Sequence, residues 1–326
     1  MANYKDLHGF QIKHLSSDPP SPIEGEIWYN TTSSILKVGP KIAAWSSGGN
    51  LGTARYALGG AGTQTVGLAF GGNTPSGSPT KTTATEEYNG SSWTAGGALG
   101  TARYAIIGCG TQTAALGFGG FDASPPGLTA TEEYNGSSWT AGGALPVQKR
   151  GMGRAGTQTA ALGFGGIGGP GNGNLDATET YDGSSWTAVN DMNTARRFSA
   201  GDGTQTAAFG AAGYVTAVDA SSEEWDGTNW TATSNVNVAR GRVAGVGTTS
   251  DGLIFGGQPT SSATESWDGS SWSTAPALST ARHGMAGAGT SPTALGFGGS
   301  TGSPVVNTEE FTAETSAATA STIDFD

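Results

Sequence analysis

Bulky and small side chains alternate in a short segment that recurs along the chain. In "AALGFGG" at 114–120, Leu116 and Phe118 fall on one face of an extended strand, and Ala115 and Gly117 fall on the other. The same bulky pair recurs at Leu68/Phe70, Leu162/Phe164, Leu253/Phe255 and Leu295/Phe297. This alternation predicts strands whose bulky face packs against the smooth face of a neighbouring sheet.

Turn signals separate these strands. The segment "TEEYNGSSWTAGGAL" occurs twice, at 85–99 and 131–145, and its Asn-Gly pair is typical of a type I′ hairpin turn. "GTQT" marks a further short turn before the Leu/Phe strand. Each repeat therefore predicts four strands: one after a recurring arginine, one ending in a Gly pair, one at "TEEY" and one at a tryptophan.

Three markers, the tryptophan, the arginine and the Gly pair, recur with a common period. Successive tryptophans are 48, 46, 47, 44 and 42 residues apart, and the arginines keep this step to within one residue. Periods of this length are typical of solenoids, propellers and arrays. The predicted structural repeat positions are Trp45, Trp93, Trp139, Trp186, Trp230, Trp272, Arg55, Arg103, Arg150, Arg196, Arg240 and Arg282.

The two ends of the repeat region complement each other. Trp45 has no "TEEY" strand before it, whereas the last "TEEF" strand, at 308–311, has no tryptophan strand after it. If the chain closes into a ring, the surplus strand completes the deficient sheet and no end remains unpaired. We therefore predict an all-β fold: a six-bladed β-propeller of four-stranded blades over 43–311, closed by an N-terminal strand. A docking segment with a β-hairpin precedes it over 1–42, and a tail follows over 312–326.

The order arginine, Gly pair, aromatic residue, tryptophan at this period resembles the kelch-type β-propeller over 45–311. The segment "SSDPPSPIEGEIWYNTTSSILKVG" at 16–39, with a hairpin predicted between 26–29 and 35–38, resembles the leader of many bacteriophage tail and virion proteins. Together the two parts resemble kelch-like virion structural proteins of marine bacteriophages. The resemblance implies a non-enzymatic tail, fibre or capsid appendage. Its leader would attach to other virion proteins, and its propeller would face the host.

Charge narrows the range of partners. The chain has 15 basic and 26 acidic residues, for a formal net charge of −11. Residues 1–44 hold four of each, so the whole acidic excess lies in 45–326. Because such a surface repels phosphate, we expect neither nucleic acid nor a membrane as partner. The N-terminal residues contain no apolar stretch typical of a secretion signal, which favours a virion protein assembled in the host cytoplasm.

The sequence contains few candidate catalytic or metal-ligating residues. Kelch-fold copper radical oxidases need two histidines at the metal, but only His283 lies in the predicted ring, since His8 and His14 precede it. Sialidase-like propellers use a special arginine cluster, whereas the recurring arginines here occupy equivalent positions. We therefore expect no catalytic residue, no cofactor and no metal. Cys109, the single cysteine, is expected to be a small buried filler.

One acidic residue recurs beside the aromatic position of each repeat, at Glu86, Glu132, Glu179, Glu223, Glu265 and Glu309. We predict that most of these carboxylates form salt bridges with a repeat arginine of the same or the next blade. The alternative is a ring of acids that binds a cation. The prediction is favoured because six equivalent sites rarely act as one active site.

The segments after each Gly pair vary, whereas the GTQT and NG/DG turns hardly change in length. Variable loops on a rigid scaffold are typical of recognition, although drift in unconstrained loops explains the same variation. The partners we consider are a host glycan or surface protein and further copies of the chain. Two alternatives stay open: a propeller that binds or acts on host polysaccharide, and an architectural spacer or decoration without host binding. The candidate recognition residues are Asn73, Lys81, Phe121, Asp122, Asn172, Asn174, Tyr214, Asp219 and Gln258.

Overall fold

A computed structural model describes residues 12–19, 26–38, 43–75, 80–123, 125–313 and 319–320. Predictions on other positions, including His8, parts of the docking segment and most of the tail, lie outside the described residues. Every regular element within the described ranges is a β-strand. None of these residues belongs to a helix of the length and hydropathy needed to cross a bilayer. The chain divides into two compact units, Trp45–Phe311 and a smaller unit from the segments before and after it.

The smaller unit contains a four-stranded sheet. Its strands are, in order across the sheet, Lys13–Leu15, Ile27–Asn30, Ile35–Val38 and Thr319–Ala320. The predicted hairpin is present, with its first strand beginning one residue later than expected. The last strand comes from the predicted tail and pairs with Ile35–Val38, so segments from both ends of the chain share one sheet.

Asp18 joins the strands of this small sheet. It accepts hydrogen bonds from Lys37 Nζ at 2.5 Å, Asn30 Nδ2 at 2.7 Å and Trp28 Nε1 at 3.0 Å. These donors, Lys37 first, lower the pKa of Asp18 to about 2. Trp28 is 1% exposed. The segment "IWYN" of the leader therefore supplies a buried aromatic side chain and polar groups that hold this side chain in place.

The larger unit contains six four-stranded antiparallel sheets, called sheets 1 to 6 along the chain. In sheets 1 to 5, strands that are neighbours in the sheet are also consecutive long strands in the sequence. The strands are Gly59–Gly62, Gly67–Phe70, Thr85–Tyr88 and Trp93–Ala95 in sheet 1; Ile107–Thr111, Ala114–Phe118, Thr131–Tyr134 and Trp139–Ala141 in sheet 2; Gly153–Gly156, Ala161–Phe164, Thr178–Tyr181 and Trp186–Val189 in sheet 3; Ala200–Gly203, Ala208–Ala211, Ser222–Trp225 and Trp230–Thr233 in sheet 4; Ala244–Gly247, Gly252–Phe255, Thr264–Trp267 and Trp272–Ala275 in sheet 5; and Ala286–Thr290, Thr293–Phe297, Thr308–Thr312 and Ala44–Ser47 in sheet 6.

Sheet 6 combines strands from opposite ends of the larger unit. Ala44–Ser47 pairs with Thr308–Thr312, and the Gly48 N–H donates to the Thr308 carbonyl at 2.9 Å. The first strand of each sheet packs against the first strand of the next, and that of sheet 6 packs against that of sheet 1. The sheets are therefore arranged like blades around their first strands.

Antiparallel pairing sorts the connections into two faces. The GTQT-type turns and the NG/DG turns lie at the same ends of the strands, which we call the turn face. The loops between second and third strands and the connections to the next sheet lie at the opposite ends, which we call the loop face. The loop face also contains the two-residue strands Asn73–Thr74, Thr80–Lys81, Lys149–Arg150, Ile167–Gly168 and Gly173–Asn174.

The core lies between neighbouring sheets, where an aromatic ring of one sheet meets the repeat tryptophan of the next. Phe70 of sheet 1 lies 4.7 Å from Trp139 of sheet 2, between ring centroids. Phe70 also needs a glycine opposite it, because a Cβ on Gly108 would lie 2.2 Å from its Cζ. The predicted match of a bulky face with a smooth face is confirmed at this interface. Cys109 is buried as predicted, on the face of sheet 2 that packs against sheet 3, and burial raises the pKa of its thiol to about 12.

The repeat tryptophans also bind the preceding sheet by hydrogen bonds. Trp139 Nε1 donates to Thr85 Oγ1 at 3.0 Å, and Trp93 of sheet 1 donates to Thr308 of sheet 6 at 3.0 Å. Trp272 departs from this arrangement: its Nε1 and Ser222 Oγ are both buried without a hydrogen-bond partner among the described residues. The corresponding bonds elsewhere are Trp45–Thr264, Trp186–Thr131 and Trp230–Thr178.

Candidate functional site

The recurring cation of each repeat is buried near the loop face. The prediction is wrong in the third repeat, where Lys149 is the buried cation and Arg150 is half-buried. Lys149 pairs with Gly168 and Arg150 with Ile167 in a short ladder, and side chains one position apart on a strand point to opposite sides. The cations that are 0% exposed are Arg55, Arg103, Lys149, Arg196, Arg240 and Arg282.

Each buried cation forms an ion pair with the recurring glutamate of its own sheet. The nitrogen–oxygen distances are 2.8 or 2.9 Å for the five arginines, and Lys149 pairs with Glu179. Glutamate oxygens also accept backbone N–H groups from the incoming connection, as Glu86 Oε2 does from Gly52 at 2.6 Å. The predicted pairing is confirmed, with Lys149 in place of Arg150. These carboxylates tie each connection to the sheet that it enters.

Burial shifts the pKa values of this layer. It lowers the pKa of Arg282 to about 10, against the attraction of Glu309, so the guanidinium stays charged at neutral pH. Burial also raises the pKa of Glu179, whose Oε2 has no hydrogen-bond partner among the described residues. In the other five repeats this second oxygen accepts a backbone N–H from the incoming connection, as Glu132 Oε2 does from Gly100 at 2.6 Å. The third repeat has Pro146 at that position, and proline has no N–H to donate.

A closed cycle of backbone hydrogen bonds lies on the loop face, two positions after each buried cation. Six N–H groups each donate to the carbonyl of the preceding member at 2.6–3.1 Å, and Ala57 donates to Gly284 to complete the cycle. All six members have a left-handed φ of 50–61°, a conformation that favours glycine. The members are Ala57, Ala105, Gly151, Phe198, Arg242 and Gly284.

Six polar side chains surround this cycle, and we call them the rim. Five of them directly precede a member of the cycle, and Arg242 is itself a member. The rim differs from repeat to repeat, whereas the buried cation one or two positions earlier hardly changes. The rim residues are Tyr56, Tyr104, Arg150, Arg197, Arg242 and His283.

Aromatic rings support the three arginines of the rim. Arg150 lies over Phe121 at 4.3 Å, Arg242 over Phe198 at 4.8 Å and Arg197 over Tyr214 at 5.5 Å, from guanidinium carbon to ring centroid. In the described part of the chain, no carboxylate forms a salt bridge with any of the three. Arg197 donates to Asn174 Oδ1 at 2.5 Å and Arg150 to the Pro126 carbonyl. These contacts hold the guanidinium planes and leave donors available.

The rest of the rim consists of groups that are neutral at neutral pH. Burial, with a further contribution from Arg242, lowers the pKa of His283. Burial raises the pKa of Tyr104; nearby Tyr56 adds to the shift, while Arg150 and Arg242 oppose it. The rim therefore combines a cationic arc with an arc of neutral hydrogen-bonding groups.

A groove of about 420 Å³ connects the rim to the loops. Its lining includes Tyr56, Arg242 and His283 from the rim, with Asn73 and Gln258 from the variable segments. Asn73 Nδ2 donates to Tyr56 Oη at 3.1 Å. The groove thus presents hydroxyl, amide, imidazole and guanidinium groups, each of which can hydrogen-bond a polar ligand.

Four of the predicted recognition residues lie beside the rim, because each opens its loop and pairs with the segment that follows the buried cation. Asn73 pairs with Tyr56, Phe121 with Tyr104, Tyr214 with Arg197 and Gln258 with Gly241. The sequence prediction missed the rim itself, although its position directly after the recurring cation could have indicated it.

The other five predicted residues have different surroundings. Asn174 lies near the rim, where Arg197 donates to it. Lys81 Nζ donates to the backbone carbonyl of Asp122, which links two neighbouring loops. Asp219 lies 3.6 Å from the buried Arg196, so its role is structural. Asn172 is exposed, with φ of 48°.

Arg154 crosses the space between the first strands. It belongs to sheet 3, donates to Asp202 of sheet 4 at 3.1 Å and reaches the Gly287 carbonyl of sheet 6 at 3.0 Å. Asp202 in turn accepts the Gly247 N–H of sheet 5 at 3.0 Å. A cavity of about 70 Å³ beside Arg154 is lined by the first strands of all six sheets. Among the described residues, no group of three or more metal-ligating side chains occurs.

Comparison with known proteins bears on the fold. No family model and no curated protein matches the chain. A solved structure titled "Structure of YjhT" is similar with a TM-score of 0.66 and 15% identity, covering 83% of this chain and 99% of that one. YjhT is a kelch-like propeller. This similarity and the blade-like sheets show a β-propeller fold.

Proposed function

We propose that the six sheets are the blades of one closed, kelch-type propeller. The strand that sheet 6 takes from the start of the unit supports closure, as does the bond from Trp93 to Thr308. The cycle of backbone hydrogen bonds supports it independently, because Ala57 and Gly284 come from opposite ends of the unit. Arg154 spans from sheet 3 to sheet 6, which requires these first strands to face each other across a narrow centre.

On this scaffold the proposed function is non-enzymatic recognition of a host surface through the loop face. The groove between the rim and the loops carries this proposal, because it gathers polar side chains from several repeats. Ties that recur in most or all repeats hold the backbone beneath it, so the site is preorganised for binding. Binding is favoured over glycoside hydrolysis, which uses a pair of carboxyl groups, because this groove presents amide, hydroxyl, imidazole and guanidinium groups.

The proposed setting is a bacteriophage virion, as a tail, fibre or capsid appendage. The leader and the repeats support this setting through their resemblance to virion proteins. The smaller unit would dock onto other virion proteins. Antibodies against the chain should label intact particles in electron micrographs, and purified particles that lack the chain would overturn the assignment.

A glycan array with the full chain tests recognition. We expect binding to be lost in the variant Tyr56→Ala with Asn73→Ala, which removes hydroxyl and amide groups from the groove. Thr65→Ala with Thr113→Ala is the matched control, because both threonines are exposed on the turn face. Equal loss in both variants would contradict the loop-face assignment. A wild-type chain that binds neither glycans nor host cells would favour the architectural spacer.

A further inference from the structure

The larger unit uses its few cations in two ways. Its residues, 45–311, include 11 basic and 19 acidic residues. Six of the basic residues are the buried cations, and Arg154 is paired with Asp202. The remaining four are Lys81 and the three rim arginines, and all four lie on the loop face. In a unit with more acidic than basic residues, every cation outside the buried and central pairs therefore lies on one side.

The guanidinium groups of the three rim arginines are already positioned to bind an anion. Each is stacked on an aromatic ring, which limits the conformational entropy lost on binding. Their planar guanidinium groups match carboxylate and sulfate oxygens, to which they can donate in pairs. Arg242 is the most available of the three, because its guanidinium makes no hydrogen bond within the described residues.

The backbone at Arg242 is also unusual. Its φ is 53°, a left-handed value that Ala57, Ala105 and Phe198 share, whereas the third and sixth repeats have Gly151 and Gly284 at this position. A side chain at a left-handed position costs free energy relative to glycine, and such strain is often retained at functional sites. Among the six members of the cycle, Arg242 alone carries a charge, and its guanidinium lies at the rim.

The neighbouring groups favour a sugar as the carrier of the anion. Tyr56, Tyr104 and His283 complete the rim with neutral hydrogen-bonding groups, and Asn73 and Gln258 add amides. Sugar hydroxyls fit such groups. A long polyanion such as nucleic acid would instead meet the acidic surface beyond the rim, since the larger unit has 19 acidic and 11 basic residues, an excess of 8 negative charges.

We propose that the rim binds acidic sugar residues of a surface polysaccharide, with Arg150, Arg197 and Arg242 contacting the acid groups. This inference rests on the proposed recognition function and specifies its ligand class. A uronate carboxylate and a sulfate ester share the required chemistry. Three ligands separate the cases: galacturonic acid trisaccharide, a sulfated galactose trisaccharide and the unmodified galactose trisaccharide.

The decisive variant is Arg242→Gly, measured by calorimetric titration of the full chain at low salt. Glycine is the chain's own residue at two equivalent positions, so the fold should tolerate the change. We expect the affinity for at least one acidic trisaccharide to fall at least about tenfold, the loss typical of a charge-assisted hydrogen bond. The matched control is Ala105→Gly, which relaxes an equivalent left-handed position without removing charge. It should bind as the wild type does.

A second variant, Arg150→Gln with Arg197→Gln, keeps the test informative if Arg242→Gly perturbs the cycle. The unmodified trisaccharide should bind more weakly than its acidic counterpart, and added salt should reduce the difference. Equal binding of acidic and neutral sugars, or unchanged acid binding in both arginine variants, would overturn the inference. If the array detects only neutral glycans and the groove variant loses them, recognition stands and the acid specificity fails.

Discussion

Two layers of this protein contain cations at adjacent or nearly adjacent positions of the chain. The cations of one layer are buried against carboxylates, whereas those of the other layer lie at the rim. Lys149 and Arg196 are 0% exposed and paired with glutamates, whereas Arg150 and Arg197 follow them directly and have no carboxylate partner in the described part of the chain. The buried layer is nearly identical in six repeats, but the rim changes from tyrosine to arginine to histidine.

The difference separates the layer that stabilises the fold from the layer to which we assign the proposed recognition. A buried charge without its partner is very unfavourable, so every repeat must keep both members of the pair. At the rim, water solvates an unpaired guanidinium, and side chains there can vary at little cost to stability. Chemistry that differs among repeats is therefore informative about ligands, and chemistry that recurs is informative about the fold.

The largest expected effect comes from breaking a buried pair. Arg103→Met should reduce the free energy of unfolding by about 3–5 kcal/mol, because Glu132 would stay buried without its cation. The matched rim variant, Arg150→Met, should cost below about 1 kcal/mol. Urea unfolding of both variants tests the contrast. Similar losses in the two would show that the layers do not differ as described.

Replacing the buried lysine of the third repeat by arginine should have a smaller effect, and this change should raise the free energy of unfolding. Lys149→Arg places beside Glu179 the guanidinium that the other repeats have at this position. In four of the other five repeats the arginine also donates to a backbone carbonyl, as Arg103 does to Ala130 at 2.9 Å. We expect a gain of about 1 kcal/mol in the free energy of unfolding. Arg150→Lys is the control, and a loss of stability in Lys149→Arg would contradict this prediction.

Ser222→Thr tests a second position at which one repeat departs from the others. Threonine occupies the equivalent position of the other five sheets, and five repeat tryptophans donate to it. Restoring this bond for Trp272 should raise the free energy of unfolding by about 0.5–1 kcal/mol, since two buried polar groups gain a partner. Thermal unfolding measures the gain. Ser221→Thr, one position away, should show none.

The smallest effect concerns pH at the rim. Because the folded pKa of His283 lies below its ordinary value of 6.5, its contribution to stability is complete above 6.5 and falls as the pH drops through the folded pKa. Protonation adds a positive charge beside Arg242, so an acidic trisaccharide should bind about threefold more tightly in the protonated state. Titrations between about pH 7.5 and 5.5 test this. His283→Gln should remove the pH dependence.

Much of the buried layer was predictable from the sequence. The period, the strands with Leu and Phe, and the pairing of Glu132 with Arg103 all follow from features that repeat. Errors arose where a repeat departs from the others. Arg150 keeps the approximate spacing, but a shift of one position in a strand moves a side chain to the opposite side, so Lys149 takes the buried place.

The sequence by itself determined the all-β class, the strand order and the fact that recurring glutamates pair with recurring cations, because each depends on local alternation or on a pattern repeated along the chain. Only the tertiary structure brought Arg150, Arg197 and Arg242 to one rim and set Arg154 against Gly287. Those contacts join residues from different repeats, and their geometry depends on how the sheets pack. Periodicity along a chain carries no information about such packing.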